Sequence, residues 1–195
     1  MAFSAKELQI LDCAQRLLAE AGDAGLTMRR IADCAEMRLS NVQYYFKIRD
    51  DVLKAMVARY FDDCSAEIAQ VLQQSQATTL RARLYFLARA GLRHGDEVTD
   101  MCRTFRELWA ISSRNPEVQT HLMDYYRRFS QLVVGFVLQS DEEDARHLRL
   151  RSLLLPVFEG YSITAAALPL SEAQMADLIT ELALSVLEEE AANKE

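Results

Sequence analysis

Apolar residues recur every three to four positions along most of this chain, which is the spacing of one face of an α-helix. A short and informative example is the stretch TMRRIADCAEMRLSNVQYYF, residues 27–46. Its apolar positions predict one helix over residues 27–35 and a second over residues 39–45, joined by a tight turn. Val42 and Phe46 are four residues apart, so both can anchor the second helix to a core.

The polar positions of these two helices carry side chains that suit DNA. Thr27 is a suitable N-cap for the first helix. Arg29 and Arg30 fall off the apolar stripe, near the positive end of that helix, where a phosphate is also favoured. Polar side chains of the second helix are of the kinds that read base edges or bind phosphates in the major groove. The candidate DNA-binding residues are Thr27, Arg29, Arg30, Arg38, Leu39, Ser40, Asn41, Gln43, Tyr44, Tyr45 and Lys47.

The rest of the pattern predicts further helices with few breaks. A capping box, Ser-x-x-Glu beginning at Ser4, opens the first helix. Apolar positions over residues 50–72 predict a helix too long for a DNA-binding module alone, which indicates a connector. Further helices are predicted over residues 80–94, 98–113, 117–139, 143–167 and 172–190. With only 6 Gly and 3 Pro in 195 residues, we expect an all-α fold of about nine helices. The N-terminal helix-turn-helix DNA-binding domain covers residues 1–48, and a second domain covers residues 49–195.

The charge distribution allows DNA binding despite a net charge of −7. Residues 1–60 contain 9 Lys and Arg against 8 Asp and Glu, whereas residues 61–195 contain 13 against 21. The positive charge is therefore local to the predicted DNA-binding motif. The acidic remainder disfavours indiscriminate binding to DNA, and a nonspecific coating protein should be more basic.

Residues 8–57, LQILDCAQRLLAEAGDAGLTMRRIADCAEMRLSNVQYYFKIRDDVLKAMV, resemble the N-terminal domain of TetR/AcrR-type bacterial transcriptional regulators. The segments ILDCA, TMRRIA, QYYF and RDDVL stand in the family order without a gap. Glu36, Met37 and Arg38 depart from the usual Gly-Val-Ser of the turn, and Gln43 replaces the first aromatic residue of the usual run. Glu36 requires a residue with a Cβ to adopt the turn conformation that glycine takes most easily.

The resemblance implies a homodimer that binds a palindromic operator and is released from it by a small-molecule effector. In such regulators the last two helices form the dimer contact, and the middle helices bind the effector. The corresponding candidates for effector binding are Tyr85, Arg103, Phe105, Arg106, Trp109, Tyr125 and Phe129. The alternative for the aromatic residues is an ordinary core. For Arg103 and Arg106 the alternative is that they pair with neighbouring carboxylates or with solvent.

Other functional classes have little support in the sequence. No nucleophile elbow, phosphate loop or zinc-protease motif is present, so we expect no enzyme. The four cysteines, Cys13, Cys34, Cys64 and Cys102, form no C-x-x-C or Cys/His cluster, so neither a metal nor another cofactor is expected. Cys13 and Cys34 are expected to be buried thiols. Without a signal peptide or a membrane-spanning run, the expected location is the cytoplasm. A transcriptional activator, a helical interaction protein without specific DNA binding, and a redox sensor using Cys34 or Cys102 remain alternatives.

Overall fold

The computed structural model describes the backbone of residues 3–96, 100–140 and 142–192, and the side chains of these residues except 94–103 and 189–192. The described residues form nine α-helices and a single 3-10 turn, and they contain no strand. The α-helices are α1 Ala5–Gly25, α2 Met28–Cys34, α3 Leu39–Tyr45, α4 Arg49–Gln73, α5 Leu80–Asp96, α6 Asp100–Ser112, α7 Pro116–Leu138, α8 Ala145–Thr164 and α9 Glu172–Ala192, and the 3-10 turn is Ala165–Ala167. The predicted all-α fold is confirmed.

Two helices begin at reciprocal capping boxes. At the start of α1 the Ser4 hydroxyl accepts from the Glu7 backbone N–H at 3.3 Å, and Glu7 Oε2 accepts from the Ser4 N–H at 2.8 Å. At the start of α9, Gln174 Oε1 accepts from the Ser171 N–H at 3.0 Å. Each box satisfies N–H groups that a helix start otherwise leaves unpaired. Local sequence therefore sets both helix starts, the first of them as predicted.

Two predicted helices have boundaries that differ from the structure for identifiable reasons. α5 continues through Gly95 to Asp96, because an internal glycine weakens a helix without necessarily ending it. α8 begins at Ala145 and not two residues earlier, since the Asp144 side chain caps it. It ends at Thr164, and the 3-10 turn occupies the residues that were predicted to be its last α-helical turn.

The chain forms two compact units. Unit 1 contains Met1–Cys64 and Val98–Tyr125, and unit 2 contains Ser65–Glu97 and Tyr126–Glu195. In unit 1, α1 packs against α2 and α6, and α2 packs against α3. In unit 2, α5, α8 and α9 pack against one another. These units are not split at residue 48, so the division of functions between residues 1–48 and 49–195 stays a prediction.

Each unit has its own apolar core. Large side chains that are fully buried in unit 1 are Ile10, Leu11, Leu18, Leu26, Ile31, Leu53, Leu108 and Leu122. Those of unit 2 are Leu84, Leu87, Leu92 and Leu150. Burying one such side chain contributes about 1.5–3 kcal/mol before the entropy of ordering it is subtracted. The core of unit 1 holds the N-terminal helices in place, and the candidate DNA-binding residues lie on those helices.

Candidate nucleic-acid interface

α2 and α3 form the two-helix motif that the sequence predicts. The Thr27 hydroxyl caps α2 by accepting from the Arg30 backbone N–H at 3.3 Å. Ile31 is fully buried and holds α2 against the core of unit 1. Val42 and Phe46 are also buried and anchor α3. Because one side of each short helix is held by the core, its other side is presented in a defined orientation.

The turn between α2 and α3 has the geometry of a helix C-terminal motif that favours glycine. Glu36 has a φ of 54°, in the left-handed region. The Met37 N–H donates to the Ala32 carbonyl at 2.9 Å, and the Glu36 N–H donates to the Asp33 carbonyl at 3.2 Å. This pair of bonds is the Schellman motif, in which the left-handed position is usually glycine. The expectation that Glu36 takes a glycine conformation is confirmed.

The polar residues of α3 face outward. Tyr44 is 82% exposed, and its ring contacts that of Tyr45 edge to face, with centroids 5.2 Å apart. Of the predicted DNA-binding residues, Leu39 and Tyr45 are half-buried. The exposed members of the set are Thr27, Arg29, Arg30, Arg38, Ser40, Asn41, Gln43, Tyr44 and Lys47. These side chains are exposed within the described part of unit 1, so they are accessible to a duplex.

One exposed residue next to this face was not among the sequence candidates. Ile48 is 57% exposed, directly after Lys47, and its N–H donates to Asp51 Oδ2 at 3.2 Å. It occupies the position before α4, where a polar cap is usual. The sequence signal that could have identified it is an apolar, β-branched residue at such a position.

A group of charged side chains fixes the chain just before α2. Glu107 Oε2 on α6 accepts from the Asp23 backbone N–H at 3.2 Å. The Asp23 carboxylate pairs with Arg49 at the start of α4, and Arg114 Nη2 lies 3.9 Å from Asp23 Oδ2. Gly22 has a φ of 63°, and a Cβ there would lie 3.3 Å from Glu107 Oε2. No sequence signal indicated this arrangement, because its members are far apart along the chain.

The predicted effector-binding residues of unit 1 fall into two groups. Phe105 and Tyr125 are packed with aromatic residues of α4. The Tyr125 ring stacks on Phe61 with centroids 3.4 Å apart, and Phe105 stacks on Tyr60 at 5.4 Å. By contrast, Trp109 is exposed. Arg106 is exposed as well.

The remaining effector candidates are Tyr85, Phe129 and Arg103. Tyr85 and Phe129 are half-buried in unit 2. The side chain of Arg103 lies outside the described residues. A cavity of about 30 Å³ is lined by Leu11, Gln15, Met56, Arg59, Tyr60, Asp63 and Thr104. This volume suits about one water molecule, and none of the effector candidates whose side chains the structure describes lines the cavity.

Unit 2 contains a half-buried carboxyl group that sequence reasoning missed. Burial raises the pKa of Glu159 to about 6, although the hydrogen bond with Tyr126 acts to lower it. Within the described part of the chain, no three His, Cys, Asp or Glu side chains come together as metal ligands would. None of the described helices is long and apolar enough to cross a membrane.

A capped helix, a tight turn and a second helix with an exposed polar face together define a helix-turn-helix DNA-binding protein. No protein-family model matches the chain. A curated relative, the uncharacterized HTH-type transcriptional regulator in the dhlA 5' region of Xanthobacter autotrophicus, is 41% identical over 184 residues, which is 94% of this chain and 91% of the relative. The chain belongs to the family of HTH-type transcriptional regulators that this relative represents, and its fold is that of TetR-family regulators.

Solved structures agree with this fold over nearly the whole chain. The transcriptional regulator SCO7518 from Streptomyces coelicolor A3(2) has a TM-score of 0.76 at 20% identity, over 92% of this chain and 99% of that one. A TetR-family regulator from Rhodococcus sp. has a TM-score of 0.68 at 18% identity, over 94% and 99%. The multidrug binding protein EbrR complexed with malachite green has a TM-score of 0.66 at 22% identity, over 92% and 98%. The relatives are transcriptional regulators and not enzymes.

Proposed function

We propose that this protein is a homodimeric repressor that binds a palindromic operator through α3 and is released by a small-molecule effector. The observation that carries the proposal is the division of α3 into a buried and an exposed side. Val42 is fully buried, whereas Ser40, Asn41, Gln43 and Tyr44 are exposed around it. One side of this short helix packs against the core, and the other side exposes amides, a hydroxyl and an aromatic ring. A helix of this kind suits the major groove.

We assign the candidate residues to two tasks. Arg29, Arg30, Thr27 and Lys47 flank α3 and contact phosphates, which set affinity and its salt dependence. Arg38, Ser40, Asn41, Gln43 and Tyr44 reach base edges, where Asn and Gln pair with adenine and Arg with guanine. Leu39 and Tyr45 are half-buried, so their main task is to hold the exposed residues of α3 in position.

Exposed apolar side chains on α8 and α9 support the homodimer. Ile163 is 71% exposed and Leu148 is 52% exposed on α8, and Leu178 and Leu182 are exposed on α9. Such side chains in two neighbouring helices form a surface that water solvates poorly, and a second copy of the same surface would cover it. A two-fold dimer would also place two α3 helices against two half-sites of a palindrome.

Small exposed residues on α8 suit a close approach of a second helix. Ser152, Pro156 and Gly160 are exposed and lie four residues apart, on one row of the helix surface. A Cβ added at Gly160 would meet no atom within 4 Å. This row extends the apolar surface without projecting bulky side chains, which favours packing against a second copy.

We assign effector binding and dimerisation to residues 49–195, and DNA binding to residues 1–48. Tyr85, Arg103, Phe105, Arg106, Trp109, Tyr125 and Phe129 remain the candidate effector contacts. The similarity to EbrR, a multidrug binding protein, supports a small organic molecule as the effector. Release requires that the effector bind the DNA-incompetent state of the dimer better than the DNA-bound state.

Selection from random duplex DNA, followed by fluorescence anisotropy on the recovered sequence, tests this proposal. We expect a palindromic consensus, two chains per duplex and a Kd that rises steeply with salt. Arg38→Ala and Tyr44→Ala should each weaken binding by about 5- to 150-fold, the range of roughly 1–3 kcal/mol for a lost base contact. Arg93→Ala, which removes the same charge from an exposed position of unit 2, is the matched control.

Two outcomes would contradict the proposal. If the selection recovers no preferred DNA sequence, a helical interaction protein without specific DNA binding becomes the better interpretation. Equal losses in the Arg38→Ala and Arg93→Ala variants would mean that overall charge, and not α3, governs binding. A transcription assay with the selected operator placed over a promoter would separate repression from activation.

A further inference from the structure

A side chain of α1 holds the backbone at the end of α2. Gln9 is half-buried on α1, and its side-chain N–H donates to the carbonyl of Ala35 at 2.9 Å. Ala35 is 1% exposed and directly follows the last residue of α2, so its carbonyl lies beyond the hydrogen-bond ladder of that helix. A buried carbonyl at a helix end needs a donor from elsewhere. Gln9 supplies this donor from 26 residues away along the chain.

A second hydrogen bond defines the orientation of the Gln9 amide. The Lys6 ammonium group, three residues earlier on α1, donates to Gln9 Oε1 at 3.1 Å. Because an ammonium group can only donate, the amide oxygen faces Lys6 and the amide nitrogen faces the Ala35 carbonyl. The two bonds therefore agree on one arrangement of the Gln9 side chain.

Apolar packing alone restrains this end of α2 only weakly. Cys13 is buried as expected, but Cys34, which was also expected to be buried, is half-buried. Ala35 is buried, yet its side chain is a single methyl group and contributes little apolar area. Within the described part of unit 1, no side-chain bond caps the start of α3 at Arg38. The directed bond from Gln9 is therefore an important restraint on the backbone between α2 and α3.

We propose that Gln9 is a positioning residue for DNA recognition, whose bond to Ala35 sets the orientation in which α3 meets the base edges. Only residues 36–38 separate Ala35 from the start of α3. Glu36, the first of them, has a left-handed backbone with a φ of 54°. A displacement of the Ala35 carbonyl would therefore reach α3 through a short, tight turn and not through a flexible linker. This inference rests on the proposed function, in which α3 contacts the operator.

The expected consequence is a loss of discrimination between DNA sequences and not a uniform loss of affinity. Hydrogen bonds to base edges need defined directions, whereas contacts with phosphates carry no direct sequence information. Gln9 is neutral, so an uncharged replacement leaves the number of phosphate contacts and the salt dependence of binding unchanged. The Kd for the operator should therefore rise while the Kd for unrelated DNA stays the same.

The test compares Gln9→Met with the wild type in the full-length protein. Methionine is unbranched and has a similar helix propensity, but its side chain has no N–H to donate. Fluorescence anisotropy measures the Kd for the selected operator and for a scrambled duplex of the same length. The preference for the operator should fall about tenfold, the order expected when a buried carbonyl loses its donor. Gln15→Met is the matched control, since Gln15 lies on the same helix but lines the small cavity.

Hydrogen exchange tests the same restraint without DNA. The backbone N–H groups of Glu36 and Met37 make the two bonds of the turn. Both should exchange faster in Gln9→Met and not in Gln15→Met, because the turn opens more often when its carbonyl anchor is lost. The thermal midpoint of each variant establishes that the protein is folded at the assay temperature.

Three results would count against this role of Gln9 or against the function on which it rests. An unchanged operator preference in folded Gln9→Met overturns the proposal, and so does an equal rise of both Kd values, which indicates a smaller folded fraction. Unchanged exchange at Glu36 and Met37 also overturns it, because the turn then does not depend on Gln9. If the wild-type protein selects no DNA sequence, the proposed function fails instead, and exchange alone decides whether Gln9 fixes the turn.

Discussion

Glu36→Gly should stabilise this protein, because Glu36 occupies a backbone conformation that side chains disfavour. Its φ is 54°, and the two bonds of the Schellman motif hold it there. A left-handed conformation costs a residue with a Cβ roughly 1–2 kcal/mol. Glycine avoids that cost but loses about 0.4–1 kcal/mol through the greater freedom of the unfolded chain. The expected net gain is about 0.5–1 kcal/mol.

The thermal midpoint of the purified protein, at fixed concentration, measures this gain. For a chain of this size the gain corresponds to an increase of about 1–4 °C. Glu36→Ala is the matched control, since it removes the same carboxylate and keeps the Cβ. Hydrogen exchange of the α2 and α3 amides provides a local readout, and protection there should increase in the glycine variant only.

The same argument applies at a second position and can be refuted there. Gln139 also has a φ of 54°, after the end of α7, and the Ser140 N–H donates to the Gly135 carbonyl at 3.3 Å. Gln139→Gly should therefore raise the midpoint by a similar amount. If Glu36→Gly is no more stable than Glu36→Ala, the conformational cost assigned to Glu36 is wrong.

Two further predictions concern unit 2. Burial lowers the pKa of His147, but its contacts with Asp144 and the Ser140 carbonyl outweigh burial and raise that pKa overall. The charged His147 therefore adds stability below its unfolded pKa of about 6.5, and this is lost as pH rises through the raised pKa. The thermal midpoint should fall over that window in wild type and change less in Asp144→Asn; equal slopes would contradict the assignment. Leu182→Glu should convert the proposed dimer to a monomer in sedimentation velocity, while Leu132→Glu on α7 should not; a dimer in both variants would place the interface elsewhere.

Local signals explain why the helix-turn-helix motif could be predicted so closely. Thr27 is a capping residue followed by a helical stripe, and Val42 and Phe46 stand four apart after a turn. All of these signals lie within twenty residues, so the chain needs no distant contact to form them. The exposure of the polar residues on α3 then follows from the burial of the apolar ones.

Boundaries were less predictable where side chains compete with the helical pattern. The Asp144 carboxylate accepts from the His147 N–H at 3.0 Å and so sets the start of α8 at Ala145, two residues after the predicted start. For the effector candidates the sequence pattern is even less informative. Periodicity marks Phe105 and Tyr125 as inward-facing, but cannot distinguish a core aromatic residue from a ligand contact.

By itself the sequence determined the helical class, the motif formed by α2 and α3, and the family, because each depends on residues close together in the chain. Only the tertiary structure decided that Glu107 holds the Asp23 backbone and that the Gln9 side chain donates to the Ala35 carbonyl. These pairs are separated by 84 and 26 residues along the chain. Their meeting depends on how whole helices pack, and helical periodicity specifies which face of a helix is buried but not which partner it is buried against.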